Sequence, residues 1–380
     1  MKVLVAPDKF KGNLSAKQVA SAIKKGIVHA KPDAVVEVCP MSDGGEGMVE
    51  ALLDSLGGER REVIVTGPMG ERVKAGYGIL PGSIAVIEMS SAAGLWMVPV
   101  EKRNPMLATT FGVGELIKDA LAENIRRIII GIGGSATNDG GTGMAKALGV
   151  KFMDDHGEEL GHGGQILARI KKIDMSGLDS RAKSAEILAA CDVTNPLYGE
   201  NGAANVYAMQ KGADPQMVRE LDDGLRNFSQ VIKNDLDTDV AEVPGAGAAG
   251  GIGAGLVAFL GARLIPGVEI VAETVGLREK MRGVDIVVTG EGRIDSQTLS
   301  GKTPFGVARI AKEMEIPVIA FAGSVKEDAN SLHDNGVLAM FSISDGPISM
   351  DESMKRAEKL LERSAEEVFR LIDLTLSMKR

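Results

Sequence analysis

Hydrophobic and polar positions follow one rhythm at both ends of the chain, where short apolar runs alternate with segments of helical periodicity. The N-terminal part predicts strand, helix, strand and helix at 3–5, 15–27, 35–38 and 48–56. After Gly283 the rhythm returns, with predicted strands at 284–288, 318–321 and 338–343, a helix at 307–314 and an amphipathic helix from about Ser353. Strands that alternate with helices indicate a parallel sheet, which both chain ends would build together.

The central part of the chain has a different pattern. Predicted strands at 62–66, 72–77 and 84–88 are joined by Gly/Pro turns and indicate an antiparallel meander. Asp214 and Pro215 then predict the start of a long helix that reaches about Lys233. We therefore predict an α/β fold of two domains. One is a doubly wound Rossmann/flavodoxin-like parallel-sheet domain formed by 1–64 and 283–380, and the other is an inserted mixed-sheet α/β domain, 65–282.

Composition narrows the class of protein. The 380 residues are 44% hydrophobic and 25% charged, with a net charge of −9, which is typical of a globular protein. Basic clusters and aromatic platforms for a nucleic acid are missing, so we expect no nucleic-acid partner. The apolar run at the N-terminus is too short for a signal peptide or membrane span, and two cysteines fit a reducing compartment. We expect a cytoplasmic protein without a membrane partner; monomer and homo-oligomer both stay open.

Glycine-rich loops recur at predicted strand-to-helix junctions, at 41–47, 133–141, 245–255 and 289–296. Such loops expose backbone N–H groups that bind phosphate, although glycines can also serve only tight turns and close packing. Three loops carry acids, namely Asp43 and Glu46, Asp139, and Glu291 and Asp295. Carboxylates and N–H donors at the ends of parallel strands suit a magnesium-bound polyphosphate. Arg293 could neutralise charge there or form a structural ion pair.

Two nucleotide motifs are matched incompletely. Gly131-Ile-Gly133-Gly-Ser-Ala136 fits the dinucleotide pattern, with Asp154 downstream, and keeps an NAD-dependent oxidoreductase as an alternative. The fingerprint belongs to the first βα turn of its domain. Here, however, predicted strands with a different hydrophobic pattern come before the segment. Gly301-Lys-Thr303 resembles the end of a P-loop, but Ser296 stands where that motif requires glycine.

Asp192 follows a predicted strand at 187–190, together with Thr194 and Asn195. A carboxylate at a strand end could accept a proton from a substrate hydroxyl or hold a metal. The alternative is an Asx turn before Pro196. Local spacing indicates no Ser/His/Asp or Cys/His nucleophile.

Six segments, in this order, resemble motifs of the bacterial glycerate kinase family: 6–12, 40–47, 131–141, 191–197, 244–253 and 289–297. The resemblance covers nearly the whole chain. It implies a two-domain α/β enzyme that uses ATP and Mg²⁺ to phosphorylate D-glycerate, usually to 2-phosphoglycerate. The chain departs from the family pattern at Tyr207-Ala-Met209, where Phe-Gly-Pro is usual.

The resemblance also leads to hypotheses for individual residues. Asp192 or Asp295 would orient and deprotonate the glycerate hydroxyl, and Arg293 and Lys11 would bind the substrate carboxylate or the transferring phosphate. Metal or hydroxyl contacts would come from Asp43, Glu46 and Glu291. Backbone contacts to phosphate would come from Gly133, Gly134, Ser135, Asn138, Gly140, Gly245, Gly247, Gly250 and Gly251. A non-catalytic sensor of organic acids or nucleotides on the same fold stays open.

Overall fold

A computed structural model describes residues 1–299 and 301–378, apart from the side chain of Leu376. Its strands are β1 (Lys2–Val5), β2 (Val35–Val38), β3 (Glu59–Thr66), β4 (Arg72–Leu80), β5 (Ile84–Glu88), β6 (Arg127–Gly131), β7 (Lys151–Met153), β8 (Lys172–Asp174), β9 (Glu186–Ala190), β10 (Arg263–Ile265), β11 (Ile286–Ile294), β12 (Val318–Val325) and β13 (Val337–Ser342).

The α-helices are α1 (Ala16–Ala30), α2 (Met48–Leu56), α3 (Ser90–Ala93), α4 (Phe111–Ala122), α5 (Thr142–Ala147), α6 (Ser180–Ser184), α7 (Ala203–Tyr207), α8 (Pro215–Leu236), α9 (Ala248–Leu260), α10 (Gly267–Thr274), α11 (Leu277–Lys280), α12 (Thr303–Glu313) and α13 (Met350–Ser377). Short 3-10 helices occupy Leu95–Met97, Val100–Lys102, Gly164–Arg169, Met209–Lys211, Ser296–Leu299 and Glu327–Leu332. Within the described ranges, no helix is both long enough and apolar enough to cross a membrane.

The helices and the parallel and mixed sheets confirm the predicted α/β fold class, and the chain divides into two compact units. Unit 1 contains Met1–Asp43, Glu50–Gly57 and the described residues from Gly267 onward, and unit 2 contains Gly44–Val49 and Gly58–Pro266. These divisions fall at other positions than the predicted boundaries. All of β3 belongs to unit 2 because it pairs along its whole length with β4. The segment from Gly267 belongs to unit 1, where Gly306 of α12 packs against Val268 of α10.

The sheet of unit 1 is parallel throughout and has the strand order β13-β12-β11-β1-β2. Residues from the two ends of the chain are direct neighbours in it, with Val3 in register with Ile286. Numbered within the unit, the order is 2-1-3-4-5, the flavodoxin-like order of doubly wound folds. The strand order reverses between β1 and β11, and folds of this kind bind ligands at the carboxyl ends of the strands beside such a point.

The sheet of unit 2 is mixed, with the order β10-β9-β6-β5-β4-β3. Its antiparallel part is β3-β4-β5, which confirms the predicted meander, whereas β5, β6, β9 and β10 are parallel. The predicted start of α8 is confirmed too, because the Asp214 side chain accepts hydrogen bonds from the N–H groups of Gln216 and Met217. Gly245 to Gly251 form a tight loop that enters α9, in which Ala249, Gly250 and Gly251 all have positive φ.

Helices α1 and α13 pack together in unit 1 through a close approach at Gly26. Helix α1 begins with the predicted capping box, in which Ser15 caps the Gln18 N–H and the Gln18 side chain caps the Ser15 N–H. At Gly26 an added Cβ would lie 2.2 Å from the Glu362 carbonyl oxygen and 2.8 Å from the Glu366 nitrogen. Backbone atoms of α13 therefore occupy the space that any side chain at this position would need.

Replacing Gly26 by Ala tests this contact, because helix propensity and steric overlap would change the free energy of unfolding in opposite directions. Helix propensity alone predicts stabilisation of about 1 kcal/mol. Because the obstructing atoms are backbone, we expect destabilisation by roughly 1–3 kcal/mol instead. The measurement is thermal and denaturant unfolding of the full chain. Ser21→Ala, at an exposed position of the same helix, is the control and should stay within about 0.5 kcal/mol of wild type. A more stable Gly26→Ala protein would show that the helices are not held this closely.

Candidate active site

The first cavity lies in unit 1 at the carboxyl ends of β1, β11 and β12, beside the point where the strand order reverses. Its volume is about 460 Å³. The charged residues that line it are Asp8, Lys9, Lys11, Asp43, Glu291, Arg293 and Lys302. Four of the residues predicted for the site, Lys11, Asp43, Glu291 and Arg293, therefore share one cavity.

Asp8 is a buried carboxylate just beyond the end of β1. It accepts hydrogen bonds from the Thr303 hydroxyl at 2.5 Å and from the Lys9 N–H at 2.7 Å. Burial raises the pKa of Asp8 to about 7; the negative charges of Asp43 and Glu291 act in the same direction, and the two hydrogen bonds oppose them. Asp8 is thus partly protonated near neutral pH, which is unusual for an aspartate.

Glu291 is the second carboxylate with a raised pKa in this cavity. Its Oε1 accepts a hydrogen bond from the Thr298 hydroxyl at 2.6 Å, and the Lys302 Nζ lies 3.8 Å from Oε2. Burial raises the pKa of Glu291 to about 7, against the hydrogen bond from Thr298 and the charge of Lys302, while Asp43 adds repulsion. Asp43 raises the pKa values of both Asp8 and Glu291, so a cation bound among these acids would stabilise their ionised forms.

Arg293 and Asp295 form an ion pair at the edge of the same cavity. The Arg293 Nε lies 2.8 Å from Asp295 Oδ2, and Asp295 Oδ1 accepts the Gln297 N–H at 3.1 Å. The Asp295 side chain is 6% exposed and that of Arg293 is 63% exposed. The structural ion pair considered for Arg293 is therefore present, and most of the Arg293 side chain is still exposed to solvent, where its guanidinium can meet an anion.

A magnesium ion would fit this cavity through shared ligation with a substrate. The described residues contain no group of three or more His, Cys, Asp or Glu side chains arranged to hold a metal. Mg²⁺ commonly takes only one or two carboxylates and completes its shell with water and phosphate oxygens. The mutually repelling Asp8, Asp43 and Glu291 are the carboxylates of the cavity that suit this mode.

The second cavity lies in unit 2 at the carboxyl ends of β6 and β9, with a volume of about 330 Å³. The predicted residues Gly133, Gly134, Ser135 and Asp192 line it, and so does Lys211. The loop after β6 is held in place by hydrogen bonds from the Leu95 N–H to the Gly134 carbonyl and from the Ala136 N–H to the Ala93 carbonyl. Gly134 has φ +74°, and no atom of the described residues, apart from those of Gly133 and its two chain neighbours, lies within 4 Å of where a Gly133 Cβ would stand.

Five of the predicted phosphate-binding glycines are buried and do not line the cavity: Gly140, Gly245, Gly247, Gly250 and Gly251. They allow close packing of backbone and side chains. A Cβ at Gly247 would lie 2.1 Å from the Pro196 carbonyl oxygen, and one at Gly250 would lie 2.0 Å from the Thr137 carbonyl oxygen. The Gly250 carbonyl also accepts the Gly140 N–H at 3.0 Å. Contact of these glycines with phosphate stays a prediction.

Asn138 and Asp139 are buried in the same loop but differ in their partners. Asp139 accepts hydrogen bonds from the N–H groups of Thr110, Gly141 and Gly143 at 2.8–3.2 Å, which gives it a structural role in holding the loop. Within the described part of the chain, neither Oδ1 nor Nδ2 of Asn138 has a hydrogen-bond partner, although the residue is wholly buried. A buried polar group without a hydrogen-bond partner lowers the free energy of unfolding by roughly 1–3 kcal/mol. Among the described residues, the Asn138 side chain is therefore a point where the packed loop has hydrogen-bonding groups without partners.

The geometry around β6 does not match a dinucleotide-binding unit. The fingerprint requires its downstream acid at the end of a strand in the same sheet. Asp154 instead follows β7, which pairs with β8 in a separate two-stranded sheet. Its carboxylate accepts the N–H groups of His156 and Glu158 within a turn. Residues 131–136 therefore match the glycine pattern of the dinucleotide fingerprint, but Asp154 does not lie where the acidic residue of that fingerprint is required.

A profile described as the glycerate kinase family matches residues 3–373. This chain belongs to the glycerate kinase family. A protein named glycerate kinase from Halalkalibacterium halodurans is 50% identical over 367 residues, which are 96% of this chain and 97% of the relative. A protein named glycerate 2-kinase from Escherichia coli K12 is 51% identical over 358 residues, 94% of each chain.

A solved structure of a similar protein supports the same assignment. The crystal structure of a glycerate kinase 2 candidate from Salmonella typhimurium LT2 has a TM-score of 0.92 and 45% identity, and the match covers 99% of each chain. The resemblance noted in the sequence is thus confirmed. Members of the family are ATP-dependent kinases that act on an alcohol group, so the NAD-dependent alternative is not supported.

Sequence reasoning for this glycerate kinase family member missed several residues of the two cavities. Asp8 lies in the segment 6–12, directly after the predicted strand 3–5. This position at the end of a buried strand could have identified Asp8 as a candidate site residue. Lys302 and Thr303 lie in the rejected P-loop match, and Thr303 bonds to Asp8. Glu46 is exposed and lines neither of the two cavities. Its metal contact stays a prediction.

The raised pKa of Glu291 predicts a pH-dependent stability. Its carboxyl group titrates near 4.5 when unfolded and near 7 when folded, so the stabilisation by proton binding is complete below about pH 4.5 and is lost as pH rises through 7. Glu291→Gln keeps an acceptor for Thr298 and cannot ionise. Relative to wild type it should gain stability with rising pH, by at most about 3 kcal/mol at pH 8.

Thermal unfolding of both proteins between pH 5 and pH 8, without divalent cations, measures this difference. Glu327→Gln, at an exposed position of unit 1, is the control and should follow the wild-type pH dependence. Parallel curves for wild type and Glu291→Gln would contradict the buried, repelled carboxylate described here.

Proposed function

We propose that this protein transfers the γ-phosphoryl group of ATP to D-glycerate and forms 2-phosphoglycerate and ADP. The observation that carries the proposal is that residues 3–373 match the profile of the glycerate kinase family. Relatives named glycerate kinase and glycerate 2-kinase, which match over nearly their whole length, support it as well. The two charged cavities support it, because phosphoryl transfer depends on positioning and charge neutralisation more than on a reactive nucleophile.

Each cavity offers groups of the kind that this reaction needs. In unit 1, Asp8, Asp43 and Glu291 would hold a magnesium ion, with Lys11, Lys302 and Arg293 as cations for phosphate or carboxylate oxygens. The metal would neutralise charge on the phosphates of ATP. In unit 2, the Gly133–Gly134 backbone and Ser135 would contact oxyanion groups of a substrate. These roles, including the use of Mg²⁺, are part of the proposal.

We assign the base to Asp192 rather than to Asp295. In the reaction, the C2 hydroxyl oxygen of glycerate forms a bond to the γ-phosphorus, the bond to the bridging oxygen of ADP breaks, and the hydroxyl proton passes to a carboxylate. Asp295 is buried and already bonds to Arg293 and to the Gln297 N–H. Asp192 is exposed and lines the unit 2 cavity. Asp295 would then serve to position Arg293.

The cellular setting belongs to the proposal as well. A small polar substrate and ATP are consistent with the predicted cytoplasmic location. The absence of a nucleic-acid partner stays a prediction, and monomer and homo-oligomer remain open.

Coupled measurement of ADP release from Mg-ATP tests the activity. We expect rapid release with D-glycerate and little with L-glycerate, glycolate or no acceptor. The ³¹P spectrum of the product identifies the carbon, because a phosphate on C2 couples to one proton and gives a doublet, whereas one on C3 couples to two and gives a triplet. Folded, ATP-binding protein without acceptor-dependent release would favour a sensor or another substrate. A triplet would move the reaction to the 3-hydroxyl.

Two substitutions test the assignment of the base. Asp192→Asn should lower kcat by about 10²–10⁴-fold with folding intact, as expected for the loss of a general base. Asp295→Asn should have a smaller effect on kcat and act mainly on KM, because it frees Arg293 from its partner. A larger loss of kcat for Asp295→Asn would reverse the assignment, and normal turnover in both variants would remove both residues from the base role.

A further inference from the structure

The unit 2 cavity contains one buried lysine, Lys211, that is fixed in place by the surrounding backbone. It ends the 3-10 helix Met209–Lys211 and is 2% exposed. The next residue, Gly212, has φ +95°, and a Cβ there would lie 2.3 Å from the Arg103 carbonyl oxygen. The Arg103 guanidinium also donates to the Gln210 carbonyl at 3.3 Å. This segment is therefore anchored on both sides of Lys211.

Among the described residues, the Lys211 ammonium has hydrogen-bond partners but no counter-ion in contact with it. Its Nζ donates to Ser135 Oγ at 2.9 Å and to the Thr137 carbonyl oxygen at 2.7 Å. An ammonium group has three N–H donors, and the part of the chain that the structure describes supplies acceptors for two. No carboxylate among the described residues forms a salt bridge with Lys211.

Asp139 is the acid whose charge acts on this lysine, and its carboxylate also accepts hydrogen bonds from other groups of the loop. Its oxygens accept hydrogen bonds from Thr110, Gly141 and Gly143. Burial lowers the pKa of Lys211 to about 7, with Asp139 opposing the shift. Other titratable groups of the same cavity are Cys191 and Asp192 after β9 and Tyr207 in α7. A buried cation in this setting is stabilised when an anion binds next to it.

We propose that Lys211 binds an oxyanion of the substrates through its third N–H, with the backbone at Gly133 and Gly134 on the same cavity wall. The ligand chemistry is a carboxylate or a phosphoryl oxygen, supplied by glycerate or by ATP. This inference deepens the proposed function and rests on it for the identity of the substrates. Asp192 on the same cavity would face a hydroxyl, because a second anion next to this carboxylate would be repelled.

Binding of the anion must weaken with rising pH if the ammonium is the group that holds it. The lysine is charged below its pKa of about 7 and loses its proton above it. The affinity for an anion should therefore be highest near pH 6 and fall by up to about tenfold for each pH unit above 7. A lysine that only ties the loop together through Ser135 and Thr137 would not give this dependence.

The chain has a built-in probe for this cavity. Trp96 is its one tryptophan, and it follows Leu95, which lines the cavity and bonds through its N–H to the Gly134 carbonyl. Trp96 fluorescence and thermal unfolding of the full chain can report binding of D-glycerate, inorganic phosphate and Mg-free ADP at pH 6 and pH 8.5. Saturation by D-glycerate alone would identify the carboxylate as the ligand. Saturation by phosphate or ADP would identify a phosphoryl group.

The decisive variant is Lys211→Met, which keeps the length of the side chain and removes the charge. We expect at least about tenfold weaker binding of the anion and loss of the pH dependence, with kcat/KM reduced for the same substrate. Lys211→Gln retains a donor for Ser135 or Thr137 without charge and should bind as weakly. Lys171→Met, at an exposed position of unit 2, is the control and should behave as wild type.

Wild-type affinity that does not change between pH 6 and pH 8.5 would overturn the proposal, even if Lys211→Met failed to fold. So would a folded Lys211→Met protein that keeps both its affinity and its pH dependence. The outcome is separate from that of the proposed function. Anion binding that depends on Lys211, without ADP release from ATP and D-glycerate, would retain the oxyanion site and refute the kinase. Normal kinase activity in Lys211→Met would retain the kinase and refute the oxyanion site.

Discussion

The parallel pairing of β1 with β11 is the constraint on which unit 1 depends. It joins strands that are about 283 residues apart along the chain, and side-chain and backbone bonds extend it beyond the strands. The Thr289 hydroxyl donates to the Ala6 carbonyl, and the Ala6 and Asp8 N–H groups donate to the carbonyls of Val288 and Gly290. Asp8 is thereby carried to the side of Glu291. Without this pairing, no acidic cavity would form at the strand ends.

The two cavities hold buried charge of opposite sign, and each holds it at a cost. Acids that repel one another line the unit 1 cavity, and the unit 2 cavity contains a lysine that no carboxylate of the described residues contacts. Charges of this kind are expensive in a protein interior unless a partner neutralises them. In the proposed function, Mg-ATP would supply a cation to the acids of unit 1, and an oxyanion of a substrate would supply a partner to Lys211. The cost in the free protein would then be recovered as binding energy.

The sequence was most informative where local chemistry decides the structure. The capping box at Ser15, the N-cap at Asp214 and the strand rhythm at both ends lead to the observed elements, because these signals act within a few residues. The glycine-rich loops show what could not be predicted from local sequence. Gly133 faces open space and Gly250 is clamped against Thr137, yet both stand in similar glycine-rich strings. Their difference arises from contacts between distant segments, and so does the burial of Lys211, which local polarity alone would place at the surface.

The interruption of unit 1 by unit 2 has a consequence for synthesis on the ribosome. All of unit 2 leaves the exit tunnel before β11, so it can complete its own sheet while β1 has only β2 as a partner strand and α1 still lacks α13. Domains generally fold as units during synthesis. The apolar Val3–Val5 segment and the inner face of α1 therefore lack the rest of their core until the last third of the chain has been made. We therefore expect this architecture to be more exposed to aggregation in the nascent chain than in the finished protein.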